Sequence, residues 1–261
     1  MMSGVIKFEM QGVIGVVTID NPGKRNALTV SMWQALRDLV RRLDDERACR
    51  CILFTGGGTV FAAGADISEF EQERSTREQV TRYHEVYVGP ALEAVLTCGI
   101  PTVAKIRDTC MGGGLEIASL CDLRIASTDA KFGIPITRMG FPLAFGETEL
   151  LFKLFGRNVL AELVLEGRVF EAQEALEKGI VQRVVASEAL DQEAMATALR
   201  IASGSPLAHR SSKAQLLRLL RDWTPVSEAE RAAFYDFAET QDYKAGYAAF
   251  LKKERALFVG A

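Results

Sequence analysis

An α/β fold is what the sequence predicts, arranged as a spiral of ββα units and followed by a C-terminal helical region. Three observations carry this expectation. Short runs rich in β-branched residues alternate with helical periodicity over the first half of the chain, the breaks between them are repeatedly glycine-rich or polar, and from about Glu147 onward helical spacing takes over. No low-complexity linker and no fixed-period repeat interrupts the chain, so residues 1–200 are assigned to an α/β core and residues 201–261 to the helical region.

Residues 5–9 and 13–20, joined by Gln11-Gly12, read as paired strands. After the turn-forming Asn21-Pro22-Gly23, residues 29–43 place Val30, Trp33, Leu36, Val40 and Leu43 at helical spacing with charges between them, an amphipathic helix. Residues 51–55 form a buried strand closed by Gly56-Gly57-Gly58, and residues 101–106 and 123–126 repeat the pattern of strand followed by a glycine or polar break. Residues 150–155, 159–165, 172–177 and 188–203 read as helices, with residues 181–185 as the one late strand. Residues 206–220 and 227–257 are helical, separated by a break at Pro225.

With 261 residues, 48% hydrophobic and 25% charged, the chain builds a sizeable core without a disulfide or metal staple. A formal net charge of −3 gives no whole-chain basis for binding nucleic acid or an anionic membrane, so any anion site must be a local cluster. The five cysteines, Cys49, Cys51, Cys98, Cys110 and Cys121, are odd in number and none is spaced with a histidine as a zinc site requires; no metal is expected, and the cysteines read as reduced thiols of a cytoplasmic protein. Neither a secretory signal nor an apolar run of bilayer length is visible.

Three segments carry candidate chemistry: Phe61-Ala62-Ala63-Gly64-Ala65-Asp66-Ile67, Met111-Gly112-Gly113-Gly114-Leu115-Glu116, and Phe132-Gly133-Ile134-Pro135-Ile136. Each is a glycine-containing break beside an apolar strand, where relaxed backbone rules let an N–H turn toward a ligand. Two such N–H groups converging on a carbonyl oxygen make an oxyanion hole, and a helix starting near Gly114 would add the positive end of its dipole. Taken alone, Gly112-Gly113-Gly114 fits equally a flexible turn or a phosphate site, although the chain has neither a Gly-Lys-Ser/Thr ending nor a Gly-x-Gly-x-x-Gly run.

Together with Asn21-Pro22 through Asn26-Ala27-Leu28, these segments resemble the crotonase (enoyl-CoA hydratase/isomerase) superfamily in order and spacing, from about Gly12 to Val185 with a weaker echo in the tail. The resemblance implies an enzyme that binds an acyl-coenzyme A thioester and stabilises its enolate, with coenzyme A as part of the substrate and no separate cofactor. It implies that the N–H groups of Ala65 and Gly113 form the oxyanion pair, and that Ala63, Asp66 and Ile67 receive the adenine of coenzyme A. Lys24 and Arg25 stand where related proteins approach the phosphates, and Phe250 and Lys253 resemble the C-terminal coenzyme A contact. A homotrimer or homohexamer is implied as well. For Asp66 the side chain reads as a helix cap, and for Lys24, Arg25 and Lys253 a solvated basic face is the competing reading.

Hydration of an enoyl thioester suits paired carboxylates, and the family's hydratases use two glutamates. By motif match Glu116 corresponds to the first, against the alternative of a first-turn glutamate that complements a helix dipole. The second position falls on Ile136, which transfers no proton. Glu147, within Pro142-Leu143-Ala144-Phe145-Gly146-Glu147, reads either as a new acyl-pocket group or as an N-terminal helix residue, the second being preferred. His84 lies in the variable acyl-pocket region with Tyr83 and Tyr87 and reads as a pocket-wall residue. The missing second glutamate leaves three outcomes open: hydration or isomerisation through Glu116, decarboxylation or hydrolysis of an acyl-CoA, and acyl-CoA binding without turnover.

Overall fold

A computed structural model of the chain describes residues 4–261. Strands β1 (Val5–Gln11) and β2 (Ile14–Asp20) form the expected antiparallel pair, Gln11 opposite Ile14, and Gly12 takes the positive φ of 63° that this tight turn demands. Helix α1 (Val30–Asp45) starts at Thr29, whose side chain accepts the Met32 N–H, and buries Met32, Trp33, Leu36, Leu39, Val40 and Leu43 on one face. Full burial of a side chain such as Leu36 contributes about 1.5–3 kcal/mol relative to exposure.

Strands β3 (Cys51–Gly56), β4 (Thr102–Ile106), β6 (Leu123–Ser127) and β9 (Arg183–Val185) extend the first pair into a six-stranded sheet of order β1-β2-β3-β4-β6-β9, parallel from β2 onward. Between them, β5 (Thr109–Met111), β7 (Lys131–Gly133) and β8 (Val169–Glu171) form a second, three-stranded sheet. In the pairs β4–β5 and β6–β7 the chain places one strand in each sheet before the next helix, and β8 is a second late strand where the sequence suggested only one. Three residues are too few to show an alternating pattern, which is why β5, β7 and β8 escape a sequence reading.

Alternation along the large sheet divides the core. Cys51, Leu53, Val103 and Ile125 face Leu190, Ala194 and Ala198 of helix α8 (Leu190–Ala202). Ile52, Phe54, Ala104 and Ala126 face the opposite way, into the larger core with α1, α4 (Gly89–Thr97) and α5 (Gly113–Leu120). Short helices α2 (Phe70–Glu73) and α3 (Arg77–Arg82) lead through a π-helical turn, Tyr83–Val88, into α4. Helix α6 (Phe145–Ala161) is interrupted at Gly156 (φ 75°, ψ 167°), matching the break between two sequence-predicted helices.

After α7 (Ala172–Glu177), the tail comprises α9 (Pro206–Arg221), α10 (Glu228–Phe234) and α11 (Gln241–Lys252). The helix expected over residues 227–257 is therefore two helices joined by a 3₁₀ stretch, Tyr235–Glu239, and it stops at Lys252 because Lys253 adopts the left-handed conformation (φ 59°). All five cysteines are buried free thiols, and burial raises Cys51 and Cys98 to about 12. Among the described residues no helix is long and apolar enough to cross a membrane.

Candidate active site

The two glycine loops pack directly on one another. Gly64 has φ 103°, and a Cβ there would meet the Met111 carbonyl oxygen at 3.3 Å; a Cβ at Gly112 (φ 45°) would lie 3.6 Å from the Gly64 Cα. Short parallel bridges, Leu28 with Ala65 and Ala62 with Cys110, clamp the first loop. In the Leu28 bridge the bonds run from Leu28 N–H to the Gly64 carbonyl and from Asp66 N–H to the Leu28 carbonyl, so the Ala65 N–H takes no part. Gly113 opens α5, where a first-turn N–H has no helical acceptor. Neither the Ala65 nor the Gly113 N–H has a partner among the described residues, and both residues line the same cavity of about 370 Å³. Close packing explains the next glycines: a Cβ at Gly113 would stand 2.7 Å from the Trp33 ring, and one at Gly114 2.7 Å from Ala62.

Glu116, in the first turns of α5, also lines this cavity, is 6% exposed, and has no hydrogen-bond partner for its carboxyl among the described residues. Burial, and then the neighbouring Glu147 carboxylate, push Glu116 well above the ordinary carboxylate range, an effect Arg74 partly offsets. Glu147, 5% exposed, enters the same cavity from the first turn of α6. Its Oε2 accepts the Ala144 N–H at 3.3 Å, half of a capping box, while Oε1 lies 2.6 Å from His84 Nδ1. Both sequence readings of Glu147 therefore hold at once: it is an N-terminal helix residue and a cavity group. A carboxylate only accepts, so His84 donates through Nδ1–H, leaving Nε2 to accept from Arg74 Nη2 at 3.4 Å.

Ile136, 7% exposed, forms cavity wall at the start of a 3₁₀ turn, Ile136–Met139. The expectation of one carboxylate at this site is thus corrected: a second is present, delivered by α6 instead of by the turn after β7. Tyr83, 4% exposed, accepts a bond from Trp33 Nε1 at 3.2 Å and closes the wall with Phe70, Phe141 and Leu143.

Ala63 and Ile67 lie at the cavity, with Ile67 58% exposed. Asp66 caps the 3₁₀ turn Ile67–Glu69 by accepting the Ser68 N–H at 3.1 Å, as the cap reading expects, and its other oxygen pairs with Lys24 Nζ at 2.7 Å. Arg25 pairs with Asp108 at 3.0 Å and donates to Thr109 Oγ1. Lys24 and Arg25 therefore have carboxylate partners already, and neither they nor Asp66 line the cavity. Asp108 takes φ 48°, the left-handed geometry its residue type tolerates. Phe250, 81% exposed, and Lys253 lie at the end of α11 and do not line the cavity either.

Sequence reasoning passed over Asn26 and Arg74 as individual groups. The Asn26 amide donates to the Gly57 and Val60 carbonyls at 2.9 and 2.8 Å, and its Oδ1 accepts the Asn21 N–H, tying the first motif to the loop after β3. Arg74 lines the cavity, stacked against Phe70, Tyr83 and Phe141. A Phe-x-x-x-Arg spacing on one helical face was its only available signal. Among the described residues no group of three or more His, Cys, Asp or Glu side chains is gathered as metal ligands require.

The raised Glu116 affects stability as well as chemistry. The folded protein holds this proton while the unfolded chain gives it up above the ordinary carboxylate value, so wild-type stability falls as pH rises from there to the folded-state value. Glu116→Gln does not titrate; its melting temperature is expected to match wild type near pH 4, about the ordinary glutamate value, and to gain on it as the pH is raised from there. Thermal melts across a pH series check this, and a constant offset would contradict it.

An α/β chain with two glycine loops, paired unengaged N–H groups and buried carboxylates around one cavity matches the enoyl-CoA hydratase/isomerase family, whose model aligns with residues 9–260; the chain belongs to that family. It is 35% identical over 253 residues to a probable enoyl-CoA hydratase of Rhizobium meliloti, covering 96% of each chain. It is 34% identical over 256 residues to a crotonyl-CoA hydratase of Syntrophomonas wolfei, covering 97% of each. A crystal structure of an enoyl-CoA hydratase/carnithine racemase from Magnetospirillum magneticum superposes with a TM-score of 0.95 at 40% identity, over 98% of this chain and 96% of that one.

Proposed function

We propose that the protein hydrates an enoyl-CoA thioester, using Glu116 and Glu147 as its acid/base pair and the N–H groups of Ala65 and Gly113 as its oxyanion hole. The observation that carries this reading is the convergence of both buried carboxylates and both unengaged N–H groups on one cavity. Glu147 takes a proton from water as the oxygen bonds to the β-carbon. The double-bond electrons move toward the thioester, whose oxygen gains negative charge between the two N–H donors. Glu116, whose protonated form burial favours, then delivers its proton to the α-carbon, so one water is added in total. His84 holds the Glu147 oxygen in place through its Nδ1–H bond.

Coenzyme A enters past Ala63 and Ile67, and it belongs to the substrate, so this chemistry calls for no further cofactor. Lys24, Arg25 and Asp66 form the neighbouring rim, where the Lys24 and Arg25 side chains are 44% and 61% exposed and remain able to reach phosphate despite their carboxylate partners. Phe250 and Lys253 do not line the cavity of their own chain, so a coenzyme A contact by them calls for a neighbouring subunit, as in a homotrimer or homohexamer. The exposed Phe250, Leu251 and Leu257 supply apolar surface for such an assembly. Five buried free thiols suit a reducing, cytoplasmic setting.

Crotonyl-CoA incubated with the protein in deuterated water and followed by mass spectrometry tests the reaction. The expected product gains one water and carries deuterium at the α-carbon. Release of free coenzyme A, loss of carbon dioxide from a carboxylated thioester, or an unchanged crotonyl-CoA would each replace hydration by one of the other outcomes.

A further inference from the structure

We infer that Arg74 makes the enzyme selective for acyl groups that end in a carboxylate; this rests on the thioester reading above. The Arg74 guanidinium carbon sits 4.2 Å from the centroid of Phe70, 4.5 Å from that of Phe141 and 4.8 Å from that of Tyr83. Three aromatic faces thus fix a cation in the wall of the cavity that Glu116, Glu147 and the oxyanion donors share. Among the described residues no carboxylate lies within 4.0 Å of it, nor of Arg138, the other arginine of the cavity lining, whose guanidinium donates instead to the Gly167 carbonyl at 3.3 Å. The one hydrogen bond of the Arg74 guanidinium among the described residues is the long one to His84 Nε2. A guanidinium has five N–H donors, so most of its bonding capacity is unused.

Among the described residues none of its nitrogens is sealed off without a partner, and the residue lines the cavity. Burial works against the cation, and Tyr83, Glu147 and Glu116 offset this only through space, so a hydrogen-bonded anion is what this position lacks among the described residues. Serving as counter-ion to the glutamates does not use these donors. His84 stands between Arg74 and Glu147, and the Glu116 carboxyl makes no hydrogen bond at all among the described residues. A carboxylate at the acyl end remote from the thioester satisfies two guanidinium N–H groups side by side, in a setting of aromatic walls that strengthens the contact. Arg74 contacts the substrate in this account but takes no part in proton transfer.

Calorimetric titration with glutaryl-CoA and pentanoyl-CoA, unreactive thioesters of equal chain length that differ by a terminal carboxylate, tests the inference. Wild type is expected to bind glutaryl-CoA about tenfold or more tightly. Arg74→Met keeps an unbranched side chain among the rings and is expected to abolish that preference while leaving pentanoyl-CoA affinity unchanged. Arg74→Lys, which retains the charge but not the fork, is expected to fall between and covers the case of a Met variant that does not fold. With the enoyl counterparts, glutaconyl-CoA and 2-pentenoyl-CoA, Arg74→Met should lower kcat/KM for the carboxylated substrate about tenfold or more beyond any loss it causes on the plain one, since the bond to His84 is removed for both. Equal wild-type affinity for the two saturated thioesters overturns the inference and leaves the thioester reading intact. So does an equal loss of kcat on both enoyl substrates, which would make Arg74 a tuner of the glutamates. Absence of binding to both thioesters sinks the thioester reading itself.

Discussion

Glu147→Gln is expected to lower kcat for crotonyl-CoA hydration about 10²- to 10⁴-fold while acyl-CoA binding stays near wild type. The amide preserves size and still accepts the His84 Nδ1–H, so the fold and the cavity shape persist. What disappears is the basicity that takes a proton from water at the moment of addition. Glu116→Gln should impose a comparable loss by removing the proton donor. The double variant should be scarcely worse than either single one, because the two groups act in one event and such losses do not add. Steady-state hydration assays paired with calorimetric titration of butyryl-CoA separate chemistry from binding. A Glu147→Gln protein with wild-type kcat would return Glu147 to the role of a helix-start residue bonded to His84, and the base would have to be sought elsewhere.

The oxyanion pair gives the second large effect. Removing the Gly113 N–H by proline is expected to cost about 3–4 kcal/mol of transition-state stabilisation, a loss of about 10²- to 10³-fold in kcat. Proline is compatible with the first helical position, where the N–H has no intrahelical role, so the backbone of α5 tolerates it. Its Cβ, however, would strike the Trp33 ring at 2.7 Å. The comparison is therefore best made in a Trp33→Phe background, which removes the contacting ring atoms, with Gly113→Ala as the reference that adds a Cβ and keeps the N–H. The proline variant should fall below the alanine variant by the stated factor. Equal activity of the two would remove the Gly113 donor from the mechanism.

Much of this architecture was legible in the sequence where the signal is local. The β1–β2 pair, α1 and the break at Gly156 follow from alternation, helical spacing and a glycine. Glu116 and the loops at Gly64 and Gly113 were found because their residue types recur in a known order. The three-residue strands of the second sheet lay below any periodic signal. Glu147 and His84 were visible as residues but not as a pair, because they are 63 positions apart and the π-helical turn after α3 sets which side of that segment faces α6. Lys24 and Arg25 read as free cations because sequence does not show the carboxylates 42 and 83 positions downstream that pair with them.

The bond from His84 to Glu147 also bears on how such an enzyme changes substrate. His84 and Arg74 belong to the same stretch of chain, one gripping a carboxylate that α6 supplies and the other projecting into the acyl cavity. Mutations that reshape this stretch to admit a different acyl group therefore disturb the grip on Glu147 as well, so selectivity and rate are inherited together. A laboratory effort to retarget the enzyme has its freest ground at Ile136 and Met139, cavity residues on a different segment that make no hydrogen bond to His84 or Glu147 among the described residues.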